Sequence, residues 1–319
     1  TISRDGYFKR VSMRSYNAGK EDMTGLKEGD HLVGYGEVNT LDHVLFFTTQ
    51  GTYGYTPVYE VEESRWKEIG SHINSTIRIS GEEKITDAFV IRSFATNAYM
   101  ISVTKNGLVK KTAVREYEVS RNNKTMSNMK LLEGDEVITT MAAYDYDEIL
   151  IASKNGYVSR YPVSLIPETS PRSKGVKAMN LVMDELVSAC IHHADASQLV
   201  VFTDQCQVKR IKLSDIDVTG RPARGAMICK KVKSKPYQIA HIALHELNDE
   251  LVIINEETQK ILAKDISLMS KDATFSSALH LEADSYPLKG IQTVEIREFS
   301  ETEPLEDNLE VEQESFDLN

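Results

Sequence analysis

Cysteine is scarce: Cys190, Cys206 and Cys229 are the only three, and none shows a CxxC spacing. That favours reduced thiols in a cytoplasmic protein over a disulfide framework. No apolar run approaches the roughly 20 residues needed to span a bilayer, so a membrane partner is not expected. The opening Thr1-Ile2-Ser3-Arg4-Asp5 lacks the apolar region of a signal peptide. The chain also opens without Met and inside what reads as a repeat, and it is expected to be part of a longer protein. Catalytic signatures are missing as well: there is no GxxxxGK[ST], GxSxG or HExxH. An enzyme reading therefore has no motif behind it, and no cofactor is expected in this part of the protein.

Basic residues are absent from one end. Residues 300–319 hold eight acidic side chains and no basic one. Removing those eight charges from the net −11 leaves −3 for the rest. With few large apolar residues, this tail is expected to be disordered. The body, residues 1–299, is near neutral and has room for basic patches; its net charge does not argue against a nucleic-acid partner.

What the body does contain is a repeat. "SKNGYVSRYPVSLI" (Ser153–Ile166) follows an apolar run, Ile149–Ala152, and nearly the same phrase recurs. Its counterparts lie in Thr1–Tyr16, Val44–Val61, Tyr99–Tyr117, Leu199–Ile216 and Leu251–Leu268. The turn positions are Gly6, Gly51, Gly107, Gly156, Cys206 and about Thr258, separated by 45, 56, 49, 50 and about 52 residues. Between hairpins lies a second apolar stretch after an acidic turn: Leu26–Val38, Gly81–Ile91, Leu131–Ala143, Asn180–Ile191, Lys235–Leu244 and Pro287–Ile296. A third short piece, such as Gly175–Met179 or Gly225–Cys229, precedes several of these. Each unit of about 50 residues thus holds about four short strands, the size of a propeller blade. Helical periodicity of 10–15 residues, which a βαβ layout needs, is largely missing. The expectation is an all-β, six-bladed ring of four-stranded blades. The segment Ile291–Phe299 is the candidate to complete the first blade and close the ring.

The pairs His192–His193 and His241/His245 raise a metal reading. In strand-like sequence, residues i and i+4 share a face yet stand far apart, so structural histidines are expected and no metal site.

Basic residues recur at matching places. After the turns come Lys9 and Arg10, Lys110 and Lys111, Arg160, and Lys209 and Arg210. On the segments leading out of the hairpins come Arg14, Arg65, Lys67, Arg115, Arg121, Lys124, Arg172, Lys174, Lys177, Arg221, Arg224, Lys230 and Lys231. Most surface Lys and Arg are only solubilising charges. Recurrence in register points instead to a basic belt around a ring, the footprint a bent duplex requires. Such a belt reads backbone and shape more than base sequence. A propeller that binds protein partners through its faces is the competing reading. Repeats two and six depart from the pattern, with Thr52-Tyr53-Gly54-Tyr55 and Lys260-Ile261-Leu262 where others carry basic pairs.

The phrases "RDGYFKR" (Arg4–Arg10), "VEESRWKEIGSH" (Val61–His72), "SKGVKAMNL" (Ser173–Leu181) and the NGxVxR-type hairpins resemble the C-terminal domain of the A subunit of bacterial type IIA topoisomerases. The resemblance runs to about Phe299. It implies a β-pinwheel, a propeller-like ring whose blades exchange a strand and whose basic outer edge binds and bends double-stranded DNA. The gyrase members carry a glycine-, glutamine- and arginine-rich box; here only the degenerate "SPRSKGV" (Ser170–Val176) and "TGRPARGA" (Thr219–Ala226) stand near it. That departure is more similar to the topoisomerase IV branch of Gram-positive bacteria, with a gyrase wrapping domain as the alternative. The implied role is positioning DNA for strand passage, that is, decatenation and relaxation. The partners would be the B subunit together with the rest of the A subunit. The ATP and Mg2+ of such enzymes, and their catalytic residues, would lie outside this chain.

Overall fold

The computed structural model describes residues 1–20, 22, 24–119, 123–193, 197–205, 207–229, 237–245, 250–254, 259–275, 286–287 and 292–294. The expected tail, residues 300–319, lies outside them.

The hairpins form where the repeats place them. Tyr99–Thr104 pairs with Leu108–Ala113, Glu148–Ser153 with Tyr157–Pro162, and Gln198–Thr203 with Val208–Lys212, all antiparallel. His43–Thr48 with Thr52–Pro57 and Glu250–Ile254 with Gln259–Leu262 repeat the motif. The first hairpin, Ile2–Ser3 with Tyr7–Phe8, is shorter. Gly156 turns its hairpin at a φ of +100°, where a side chain would be strained. A single 3-10 turn follows each of the five longer hairpins, as at Val163–Leu165 and Leu213–Asp215.

Why these strands read as continuous apolar runs becomes clear from the packing. The second, third and fourth sheets are each covered on both faces by their neighbours, so both sides of their strands must be apolar. Ile149 and Ile151 pack with Ile101, Val103 and Val109 of the preceding sheet. Leu150 and Ala152, on the opposite face, pack with Leu199, Val201 and Ile211 of the next. In the same way Phe46 meets Ile2 and Phe8, while Leu45 and Phe47 meet Met100, Val114 and Tyr117. Each fully buried Leu, Ile or Phe side chain is worth roughly 1.5–3 kcal/mol, so the stack is held mainly by sheet-to-sheet contact.

The third strand of each sheet comes from the segment after its hairpin: Ile85–Ile91, Val137–Ala143, Leu186–His192 and Ile239–His245. These strands, together with Leu32–Gly34 of the first sheet, pack on one another in succession and define the inner edge. The outer edge is supplied from elsewhere. Ser71–His72 pairs with Tyr7–Phe8, Met126–Ser127 with Thr52–Tyr53, Val176–Lys177 with Leu108–Val109, and Ala226–Met227 with Tyr157–Val158. Every one of these two-residue strands follows the hairpin of the next sheet. Each outer edge is therefore donated by the following repeat, the strand exchange of a β-pinwheel. Gly225 permits the close approach: at a φ of +80°, a Cβ there would lie 2.0 Å from the Val158 carbonyl oxygen.

Among the described residues there are six sheets: three of four strands, one of five and two of three. One expectation changes. The segment near residue 291 does not complete the first sheet. Gln292–Val294 instead runs parallel to Phe89–Ile91 in the second, giving it its fifth strand. The reason is occupancy: Leu32–Gly34 already takes the inner edge of the first sheet, against Ile2–Ser3.

Candidate functional site

The basic residues after the turns do not line a solvent-facing rim. They sit in the hairpin strands, where Lys9, Lys110, Lys111, Lys209 and Arg210 are buried and Arg10 and Arg160 half-buried. Lys9 and Lys209 are 3% and 0% exposed. The Lys9 ammonium donates to the carbonyls of Trp66 (2.7 Å), Gly25 and Glu68. That of Lys209 donates to the carbonyls of Lys271 and Ala273 at 2.8 and 2.9 Å and lies over the Phe275 ring. Both thus reach across to the connecting segment of the next repeat. Lys110 is equally buried and donates to the Thr112 hydroxyl. Burial lowers all three ammonium pKa values to about 8.

The next position in each hairpin ties neighbouring sheets together. Arg10, Lys111, Arg160 and Arg210 each make a parallel bridge to the following repeat, at Glu63, Glu168, Val218 and Leu268. Arg160 shows the full arrangement. Its Nε donates to Glu148 Oε2 at 2.7 Å, and its Nη1 donates to the carbonyls of Leu213 and Ile216 at 3.1 and 3.2 Å. His192 Nδ1 lies 3.1 Å from the same carboxylate. Arg10 donates to the Val61 carbonyl and faces Glu63, while Lys111 pairs with Asp145 at 2.6 Å over the Tyr99 ring. Arg210 is buried too, but Gln198 stands where the fourth sheet has Glu148. The Arg210 Nε and Nη1 and the Gln198 Oε1 have no hydrogen-bond partner among the described residues. These seven basic residues are held within the hairpin sheets, and five of them are buried, contrary to a solvent-facing belt. The available signal was their setting: a Lys or Arg between apolar residues in a strand covered on both faces has no route to solvent.

The residues on the connecting segments are placed differently. Arg14, on the short helix Met13–Gly19, is exposed, as are Arg65, Lys67, Arg115, Lys124, Arg172, Lys174, Lys177 and Arg224. Arg65 to Arg224 all flank the 3-10 turns or the donated outer strands, on the perimeter of the stack. Several are already engaged. Lys67 pairs with Asp22 at 2.7 Å and Arg115 with Glu168 at 3.3 Å. Arg221 is held by the carbonyls of Leu165 and Lys177. Arg224 lies 3.9 Å over the Tyr157 ring, which fixes its direction. Arg172 adopts a φ of +71°, held by its amide donating to the Asn128 carbonyl at 3.1 Å. Asn128 is itself locked by the Tyr117 hydroxyl and Ser102. Arg121, Lys230 and Lys231 lie outside the described residues. An exposed neighbour, Lys130, was not singled out from sequence because it stands alone between apolar residues.

The histidines sit within this framework: His192 on Glu148 and His241 Nδ1 3.1 Å from the Ser188 hydroxyl. Among the described residues no group of three or more His, Cys, Asp or Glu is arranged to hold a metal, and no helix is long and apolar enough to cross a membrane.

Comparison with known proteins agrees with this architecture. A family model described as DNA gyrase C-terminal domain, beta-propeller, matches residues 42–92, 98–143, 147–191 and 197–244. The chain is 32% identical over 268 residues to the A subunit of DNA topoisomerase 4 from Staphylococcus aureus (strain MRSA252), covering 83% of this chain and 34% of that one. It is 33% identical over 260 residues to the A subunit of DNA topoisomerase 4 from Bacillus subtilis (strain 168), covering 82% and 32%. The chain thus spans about a third of the length of the curated relatives it matches. Among solved structures, the crystal structure of the C-terminal domain of DNA topoisomerase IV superposes with a TM-score of 0.78 at 33% identity, covering 88% of this chain and 87% of that one. The DNA gyrase A C-terminal domain superposes with a TM-score of 0.70 at 21% identity, covering 89% and 95%, a likeness of fold alone. With four matched repeats, donated outer strands and topoisomerase IV relatives, the chain belongs to the DNA gyrase C-terminal domain, β-propeller family.

Proposed function

We propose that this chain is the DNA-binding and DNA-bending C-terminal domain of a topoisomerase IV A subunit, with its six sheets acting as six blades of one pinwheel. The observation that supports it is the separation of the basic residues into two sets. One set is held within the hairpin sheets, buried or half-buried; the other is exposed, mostly along the 3-10 turns and donated outer strands. An exposed cationic perimeter on a stack of packed sheets suits a duplex. Each phosphate neutralised releases condensed counterions, and the bend is repaid by further contacts. The contacts come from flexible Lys and Arg tips rather than a helix or ribbon that enters a groove, so the binding reads backbone and shape over base sequence. The domain itself carries no catalytic role. It positions a flanking or transported duplex for strand passage by the rest of the enzyme, in the bacterial cytoplasm. The remainder of the A subunit, the B subunit, ATP and Mg2+ belong to that larger assembly. Gyrase-type wrapping is the weaker alternative, since the Staphylococcus aureus and Bacillus subtilis relatives above, both at over 30% identity, are topoisomerase 4 subunits.

The test is a titration of the domain with a linear duplex at several salt concentrations. Affinity that falls linearly in log K against log salt, and is equal for unrelated sequences, is the expected result. A flat plot rejects the reading.

A further inference from the structure

The donated strands put the repeats in spatial register, and the register sorts the perimeter cations. The outer strands begin at Ser71, Met126, Val176 and Ala226, paired with Phe8, Tyr53, Val109 and Val158. Each partner lies two residues past its turn glycine, so the four starts are equivalent. Two residues before them stand Ile69, Lys124, Lys174 and Arg224, all exposed. The fifth sheet extends the series. The amides of Thr219 and Met269 donate to the carbonyls of Arg160 and Arg210. Five residues past Thr219 comes Arg224; five past Met269 comes Thr274. One position is therefore cationic on the second, third and fourth sheets and uncharged on the first and fifth.

The surroundings follow the same division. Residues 119–127, 169–177 and 219–227 contain no acidic residue at all. On the third sheet, exposed Arg172 and Lys177 flank Lys174, and on the fourth, Arg224 is held in place over Tyr157. The equivalent stretch of the first sheet, residues 64–72, contains Glu68, whose carboxylate accepts from the Arg65 amide, and its Lys67 is paired with Asp22. On the fifth, Lys271 donates to the Asp215 carbonyl and is followed by Asp272.

We infer that the duplex is gripped along one arc, the outer edges of the second, third and fourth sheets, with Lys124, Lys174 and Arg224 as the phosphate contacts that set its path. This rests on the DNA-binding reading above. The first and fifth sheets hold the arc rigid but do not touch the duplex through this position. DNA therefore enters and leaves the domain within three consecutive blades.

The experiment compares two charge-neutralised variants with the unmodified domain on one linear duplex, across a salt series. The arc variant is Lys124→Gln with Lys174→Gln and Arg224→Gln; the control is Lys20→Gln with Lys27→Gln and Arg92→Gln, exposed cations away from the donated strands. At about 0.9 per phosphate contact, the arc variant should flatten the log K against log salt slope by about 2.7, a loss of roughly 500-fold at 0.1 M salt. The control should leave the slope unchanged. Equal losses in both variants would mean that any exposed cation serves equally and would overturn the arc. An unaltered arc variant, with the unmodified domain still salt-dependent, would overturn it too. A salt-independent unmodified domain would remove the DNA reading itself and the arc with it. Should Arg224→Gln disturb folding through Tyr157, the Lys124→Gln/Lys174→Gln pair alone should flatten the slope by about 1.8.

Discussion

Arg160 offers the sharpest test of the division between the hairpin set and the perimeter. Its guanidinium holds Glu148 at 2.7 Å and two carbonyls of the next sheet's turn, with side chains only 13% and 21% exposed across the pair. Replacing Arg160 by Met keeps the apolar stem and removes every one of these bonds. Breaking one partner of a buried pair typically costs 3–5 kcal/mol, and partial exposure here brings that towards about 3 kcal/mol. The orphaned Leu213 and Ile216 carbonyls keep it from falling much lower. At a urea m-value near 3 kcal/mol/M, the midpoint should fall by about 1 M. Glu148→Gln puts the fifth sheet's glutamine at this place and should cost less than Arg160→Met, because the two carbonyl bonds remain. DNA affinity of the folded Arg160→Met protein, measured well below its midpoint, should match that of the unmodified domain. An unchanged midpoint combined with weakened DNA binding would place Arg160 on the DNA and refute the assignment.

Gln198→Glu should do the reverse: a carboxylate facing the Arg210 Nε and Nη1, which have no hydrogen-bond partner among the described residues, adds a charge-assisted bond of roughly 1.5–3 kcal/mol, read as a higher urea midpoint. Gly225→Ala should drive a Cβ into the Val158 carbonyl at 2.0 Å, from an already left-handed φ; a loss of at least about 3 kcal/mol, or roughly 6–12 °C in melting temperature, is expected. Stability should rise from pH 8 to 9.5. Lys9, Lys110 and Lys209 titrate at about 8 when folded against 10.5 in the unfolded chain, so the unfolded state binds more protons in that window. Urea midpoints at pH 7.5, 8.5 and 9.5 check the direction, and Lys209→Met should shrink the rise; a midpoint that falls with pH contradicts it. Above pH 10 the trend should turn, because burial holds the hydroxyls of Tyr117 and Tyr161 protonated in the folded state only.

The hairpins were legible because burial on both faces writes an apolar run such as Ile149–Ala152 that a Gly turn then punctuates. The donated strands were visible only as short apolar pieces. Two residues carry no periodicity, and nothing in Val176–Lys177 says that its partner is Leu108–Val109 rather than its own repeat's hairpin. The basic pairs after the turns misled for a related reason. Register across repeats is a signature of equivalent position, and equivalent positions can be interior: Lys9 and Lys209 match because the same carbonyl cage is built twice. The exposed set, Lys124 to Arg224, needed the donated strands before it could be aligned. Gln198 could not be read from sequence as a departure, since Glu148 identifies itself as a partner only once Arg160 is seen across the hairpin from it.

A repeat in this chain and a blade in this structure are different units. Lys174 is encoded with the hairpin of the fourth sheet yet decorates the third, and Arg224 is likewise one step ahead of the edge it serves. A duplicated or exchanged repeat would therefore carry its interior to one place and its surface to the place before it. Core and perimeter can change independently along the series: a hairpin is free to tighten its own blade while the segment behind it retunes the neighbour's charge. For engineering, the cut points that transplant one intact blade lie inside two successive repeats, not between them.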